Sequence, residues 1–243
     1  MWLFNWIAGL PVFIIRDNEI LPAKDLYRHH LMDSGYFMPT NDETVWGCEW
    51  GKREMTELHF PKGMEYEVCE LEDFNGLRPL QYNRKTGRYY FICEPSSPKR
   101  GGHFLALYQN GEWKELLENI WFETLWCTDA GGNTWLADFA EDSTRLICIT
   151  ADGNIEQQLI EFKKFSPDDR GGCYLLDSDG SLIHYKEKKL TIYPLPGIKN
   201  TRNIAAFSDR SVYLQKGNAL YLWTPENLRQ LMTKDGFPAD SAW

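Results

Sequence analysis

Short apolar runs alternate with clusters of Asp, Asn, Gly and Ser along almost the whole chain. Leu125–Ile160 shows the unit most clearly. A polar turn, Asp129-Ala-Gly-Gly-Asn133, precedes an apolar run at Thr134–Phe139. A second turn at Glu141-Asp142-Ser143 leads to Arg145–Thr150, and Asp152-Gly153 leads to Asn154–Ile160. Runs of this length separated by Asp-Gly read as antiparallel strands, because the dipeptide supplies the positive φ angles of a tight hairpin turn. The order recurs downstream, with Asp179-Gly180 and Lys216-Gly217 as hairpin turns, and upstream with Asn110-Gly111.

An aromatic residue follows each polar turn at the same place and marks the register. The marks are Trp2, Trp46, Tyr90, Trp135, Tyr174 and Tyr213, with gaps of 44, 44, 45, 39 and 39 residues. Units of about 40 residues, each holding four short strands, have the spacing of β-propeller blades. A helical solenoid of similar repeat would show a 3.6-residue apolar period. The best helical candidates, Glu115–Asn119 and Pro225–Leu231, also fit strand or turn.

The run Asp129-Ala-Gly-Gly-Asn-Thr-Trp-Leu136 resembles the D-x-x-G-N-x-W-[IL] repeat of regulator-type β-propellers, and more distantly NHL and WD40-like blades. The close match covers one unit. The other units keep the turn-then-aromatic skeleton, and the Trp-Asp ending of true WD40 repeats is missing. The resemblance implies an all-β propeller in which the turn residues shape the backbone and the aromatic packs between blades. The expected architecture is a single domain over residues 1–243, with six blades of four antiparallel strands. The first unit begins at its second strand, so the tail 233–243 would supply the missing inner strand and close the ring. Five blades plus an N-terminal extension is the alternative.

Composition narrows the function. The chain has 243 residues and a net charge of −9, which repels phosphate backbones and argues against nucleic-acid binding. No stretch reaches the 18 or so apolar residues of a membrane-spanning helix. Met1–Leu21 is apolar, but lacks both a leading Lys or Arg and a small-x-small cleavage site, and reads as mature structure rather than a signal peptide. The cysteines at 48, 69, 93, 127, 148 and 173 contain no close pair of the kind that zinc sites use. Inside apolar runs, they read as small buried side chains of a reducing, cytoplasmic protein.

The 35 aromatic residues are the other unusual number. The register marks use some of them in packing. Tryptophans 6, 50, 113, 121, 126 and 223 have no such assignment, and they do not repeat at one blade position as lectin sites would. In propellers, partners usually meet the loops joining second to third strands and those joining blades. The loops that stand out are the basic Glu94–Gly102 excursion, with Lys99 and Arg100, and the connection carrying Arg28 and His29. Adjacent histidines on a strand point to opposite faces, so His29 and His30 make a poor metal pair. Trp6, Arg28, His29, Trp50, Lys99, Arg100, Trp121 and Arg202 are the candidate contact residues, as aromatic and cationic side chains of hot-spot type.

No nucleophile elbow, P-loop, zinc-protease or dinucleotide motif is present in the sequence. The reading is a monomeric, non-catalytic protein- or peptide-binding propeller that needs no cofactor or metal and whose partner carries positive charge. A propeller lectin binding glycans or small molecules is one alternative. A lactonase- or esterase-like hydrolase using a metal in the central channel is the other, with Glu49, Glu94, Asp138 and Asp177 as the carboxylates in reach. Closure has a direct test: deleting Phe237–Trp243 should lower the melting temperature sharply, as measured by circular dichroism.

Overall fold

In the computed structural model, the residues described are 2–3, 13–16, 19–22, 35–40, 44–49, 54–59, 64–70, 74–95, 102–121, 125–140, 143–195, 201–217 and 219–231. Among them every regular element is a β-strand. The chain divides into two compact units, Met1–Phe122 and Glu123–Trp243.

The first unit holds three sheets. Strands β1 (Trp2–Leu3), β2 (Phe13–Arg16) and β3 (Glu19–Pro22) form a three-stranded meander. Strands β4 (Gly35–Pro39), β5 (Thr44–Glu49), β6 (Glu54–His59) and β7 (Met64–Glu70) form a four-stranded one. The third contains β8 (Phe74–Asn83), β9 (Arg88–Pro95), β10 (His103–Gln109) and β11 (Glu112–Ile120).

The second unit repeats the pattern three times. Its first sheet is β12 (Leu125–Thr128), β13 (Thr134–Ala140), β14 (Ser143–Ile149) and β15 (Ile155–Leu159). Next come β16 (Lys164–Pro167), β17 (Cys173–Leu176), β18 (Leu182–Lys186) and β19 (Lys189–Tyr193). The last sheet is β20 (Asn203–Ser208), β21 (Ser211–Lys216), β22 (Ala219–Thr224) and β23 (Asn227–Gln230).

All sheets are antiparallel meanders in chain order, the blade form of a β-propeller. The marks Trp46, Tyr90, Trp135, Tyr174 and Tyr213 each fall on the second strand of a four-stranded sheet, as their spacing predicts. Trp2 lies on the first strand of the three-stranded sheet, where a blade lacking its inner strand would have it. The tail 233–243 proposed to complete that blade lies outside the described residues. Both helical candidates are strand: Glu115–Asn119 lies within β11, and β23 occupies most of Pro225–Leu231.

The middle strands carry continuous apolar runs because both of their faces are covered. Cys173 and Leu175 of β17 pack against Trp135, Ala137, Leu146 and Cys148 of the preceding sheet. Tyr174 and Leu176 point the other way, against Val212, Leu214 and Trp223 of the following one. In the first unit, Trp46 and Cys48 meet Phe91 and Cys93 in the same manner. Each large side chain buried this way contributes about 1.5–3 kcal/mol, so the sheets are held by their neighbours.

The cysteines at 48, 93, 127, 148 and 173 are free thiols within this packing. Burial pushes the thiols of Cys127 and Cys148 up to about 12, and those of Cys93 and Cys173 well above the ordinary range. These four stay protonated, and all five serve as small apolar side chains.

Among the described residues, the hairpins signalled by Asn-Gly and Asp-Gly form where the sequence places them. Asn110 and Gly111 both have positive φ, at 55° and 85°, between β10 and β11. Glu187 and Lys188 adopt the same geometry between β18 and β19, at 50° and 63°, without an Asn or Gly. Neither residue prefers the left-handed region. Replacing Glu187-Lys188 by Asn-Gly should stabilise the protein by about 1 kcal/mol in urea unfolding. The exposed Lys188–Glu156 contact at 3.5 Å that would be lost is worth little beside this.

Candidate functional site

In the four-stranded sheets, among the described residues, the turns from first to second strand are tied by side-chain oxygens. Asp129 Oδ1 accepts from the Asn133 backbone N–H at 2.9 Å. Its Oδ2 accepts from Asn133 Nδ2 at 2.7 Å and from the Trp135 indole at 2.9 Å. Asn133 Oδ1 accepts from the Ala151 N–H, joining this turn to the one between β14 and β15. The residues of the Asp-x-x-Gly-Asn-x-Trp repeat are therefore one hydrogen-bonded unit, satisfying buried polar groups that would otherwise be costly.

The next sheet solves the same problem with different residues. Asp168 Oδ1 accepts from the N–H groups of Arg170 and Gly172, at 2.7 and 2.8 Å. The mark is now Tyr174, which offers no indole N–H. His184, opposite Tyr174 on β18, instead places Nε2 at 2.7 Å from Asp168 Oδ2 and stacks on the Tyr174 ring at 4.2 Å. The Tyr174 hydroxyl donates to the Asp209 carbonyl of the last sheet at 2.7 Å. A Cβ at Gly172 would come within 2.4 Å of Asp168 Oδ2, so only glycine fits beneath the pair.

In the second sheet Thr40 closes the turn, its hydroxyl 2.5 Å from that of Thr44. The carboxylate sits instead on β6: Glu57, opposite Trp46, accepts from the Trp46 indole through Oε2 at 2.5 Å. Glu57 Oε1 lies 2.5 Å from His59 Nε2. Both side chains are only partly covered, so an acid and an imidazole meet solvent beside a tryptophan.

The third sheet adds an aromatic row beside this group. Tyr82, Tyr89, Tyr108 and Trp113 are directly opposite one another on β8, β9, β10 and β11. They are partly buried and pack against the core that includes Trp46. Trp46 stacks on Tyr89 at 4.0 Å with an interplanar angle of 4°, and Tyr82 stacks on Tyr89 at 4.4 Å. Tyr108 and Trp113 continue the row at 5.0 Å between centroids. Burial pushes the Tyr89 hydroxyl up to about 12, and neighbouring Tyr82 and Glu57 add to the effect. The hydroxyl stays protonated as a hydrogen-bond donor. Apolar ring faces with phenol tips, a carboxylate and an imidazole form the candidate site.

Sequence reasoning missed this site because it lies at the turn end of the sheets, where Asn83 and Asn110-Gly111 close the hairpins. The available signal was symmetry: Tyr82 and Tyr89 flank one hairpin turn, and Tyr108 and Trp113 flank the other.

Of the residues nominated from the sequence, Trp6, Arg28, His29, Trp50, Lys99 and Arg100 lie outside the described residues. Trp121 follows β11 with 44% of its surface exposed, in the first unit. Arg202 is in the second, its side chain exposed and its N–H bound to the Gln215 carbonyl. Among the unassigned tryptophans, Trp223 is core and Trp113 belongs to the aromatic row, while Trp126 is 37% exposed.

Two of the four carboxylates weighed for a metal-dependent hydrolase, Asp138 and Asp177, have other partners. Asp138 is buried and takes hydrogen bonds from Arg145 Nε, at 2.8 Å, and from Nη2. Asp177 accepts from Ser181 N–H at 2.7 Å and shapes its turn. Among the described residues, no three His, Cys, Asp or Glu side chains are grouped to hold a metal ion.

No protein-family model matches the chain, and no curated protein matches its sequence. Solved structures match its fold. A functionally unknown protein from Desulfotomaculum acetoxidans aligns with a TM-score of 0.50 and 12% identity, over 91% of this chain and 75% of that one. YCF48 bound to D1 peptide aligns at 0.49 and 11%, over 82% and 66%. A putative gluconolactonase aligns at 0.43 and 16%, over 91% and 83%. These likenesses concern architecture: the chain is a β-propeller repeat protein. Likeness of this kind shows the fold alone and leaves the activity open.

The Asp168–His184 pair makes stability depend on acid. Burial by itself would raise the Asp168 pKa. The bond with His184, the two N–H bonds and the histidine charge outweigh it and hold the carboxyl below its ordinary value. The stabilisation is full above that ordinary value and is lost as pH falls through the lower, folded one. The stability gap between wild type and Asp168→Asn should therefore narrow below about pH 4 in urea unfolding.

Proposed function

We propose that the chain is a non-catalytic binding module for a basic segment of a protein or peptide partner. The observation that carries this is the aromatic row beside Glu57. A guanidinium or ammonium group is attracted to tyrosine and tryptophan ring faces and to a neighbouring carboxylate. Tyr82 and Tyr108 supply such rings on either side of Tyr89, which lies close enough to Glu57 to feel its charge. A net charge of −9 draws a positive partner in and disfavours an acidic one. This chemistry needs no cofactor. The free thiols, all but Cys127 buried, fit a reducing, cytoplasmic setting.

Glycan binding is the second reading, favoured by the same half-covered row, since sugar faces stack on aromatic rings. Fluorescence titration with Arg-rich peptides and with a neutral oligosaccharide panel separates the two. Under the first reading Tyr82→Ala and Glu57→Gln each weaken peptide binding by about tenfold, or ~1.4 kcal/mol, and added salt weakens it further. Oligosaccharide binding that depends on Tyr82 but not on Glu57 or salt would favour glycans. Wild-type protein that binds neither probe would rule out both.

A further inference from the structure

The outer strands of the four-stranded sheets differ in how they protect their free edge. An outer strand exposes unpaired N–H and C=O groups, which proteins shield with charged or bulky polar residues. Strands β7, β11, β15 and β23 carry Glu67, Glu115, Gln157 and Arg229 along their middle. β19 does not: its middle is Leu190-Thr191-Ile192. Leu190 is 44% exposed and Ile192 64%, and no described strand pairs with the outer side of β19.

The hairpin register says which groups that side offers. Lys186 and Lys189 close the two-residue turn at Glu187-Lys188, and the closing pair of such a turn exchanges hydrogen bonds. Alternation along the ladder then turns the N–H and C=O of Leu190 and Ile192 outward, with Thr191 between them.

We propose that β19 is a self-association edge, and that its occupant is β19 of a second copy, antiparallel about a two-fold axis through Thr191. In that arrangement Leu190 exchanges both hydrogen bonds with the other copy's Ile192, and Ile192 with its Leu190. Every outward group of the central strand is used. Thr191 faces Thr191, the aliphatic pairs lie opposite each other, and Lys189 falls opposite Tyr193, a cation–aromatic pair. No like charges meet across the axis. The two-fold relation makes the contact isologous and closed, ending at a dimer. The area is that of one strand pair, at the small end of specific interfaces, so the dimer should be weak, with Kd on the order of 10 µM to 100 µM.

Sedimentation velocity over a concentration series tests this. Wild type should rise from 28.4 kDa toward twice that mass as concentration passes about 100 µM. Thr191→Lys and Thr191→Glu each place like charges opposite one another only in the dimer. Thr191 is exposed in the single chain, so both variants should fold. Each alone should remain at monomer mass, and mixing the two should restore association. Wild type that stays monomeric throughout the series, variants that associate like wild type, or a mixture no heavier than its parts would each overturn the proposal.

Discussion

A four-stranded antiparallel sheet has two apolar faces and cannot cover either alone. That constraint governs this protein. The middle strands are apolar on both sides, as Cys173-Tyr174-Leu175-Leu176 illustrates, with alternate residues committed to the preceding and following sheets. Each sheet within a unit is thus stable only in the company of its neighbours. The polar ties between sheets, such as the Ala206 N–H to Ser166 Oγ and the Asp209 N–H to Asp169 Oδ1, are each 2.8 Å long and sit on top of that packing. They fix orientation more than they supply energy.

One steric position, the aromatic mark on the second strand, is served by different chemistry in different sheets. Trp135 takes its acceptor from the turn before it, Asp129. Trp46 takes its acceptor from the strand beside it, Glu57, and its turn is closed by threonine. Tyr174 takes its acceptor from the next sheet, the Asp209 carbonyl, and His184 fills the place of the indole against Asp168. In these three sheets, what persists is a large ring between sheets and a satisfied carboxylate nearby. Sequence identity between units is low because several residue combinations meet that one requirement.

The same exchange creates the candidate site. Where the carboxylate stays in the turn, as at Asp129, it is buried. Moving it to Glu57 leaves it partly in solvent, beside His59 and an aromatic row whose inner members are held by Trp46. A structural solution in one sheet thereby becomes a surface with recognition chemistry in another.

Strand order, turn positions and the five marks on four-stranded sheets were readable from the sequence, because they depend on local chemistry. Asp-Gly and Asn-Gly favour tight turns, and apolar runs between them favour strands. The Asp129–Trp135 motif was readable for the same reason: its donors and acceptors lie within a few residues. The aromatic row, the Glu57 contact and the Asp168–His184 pair were not. Each joins residues on different strands, and which side chains stand opposite is set by register. The turn at Glu187-Lys188 carried no signal either, since its left-handed geometry is imposed by the paired strands on either side. The amino-acid sequence by itself determined the repeat and its unit. Tertiary structure decided which aromatics are consumed in packing and which carboxylate reaches solvent, because burial is a property of neighbours and not of residues.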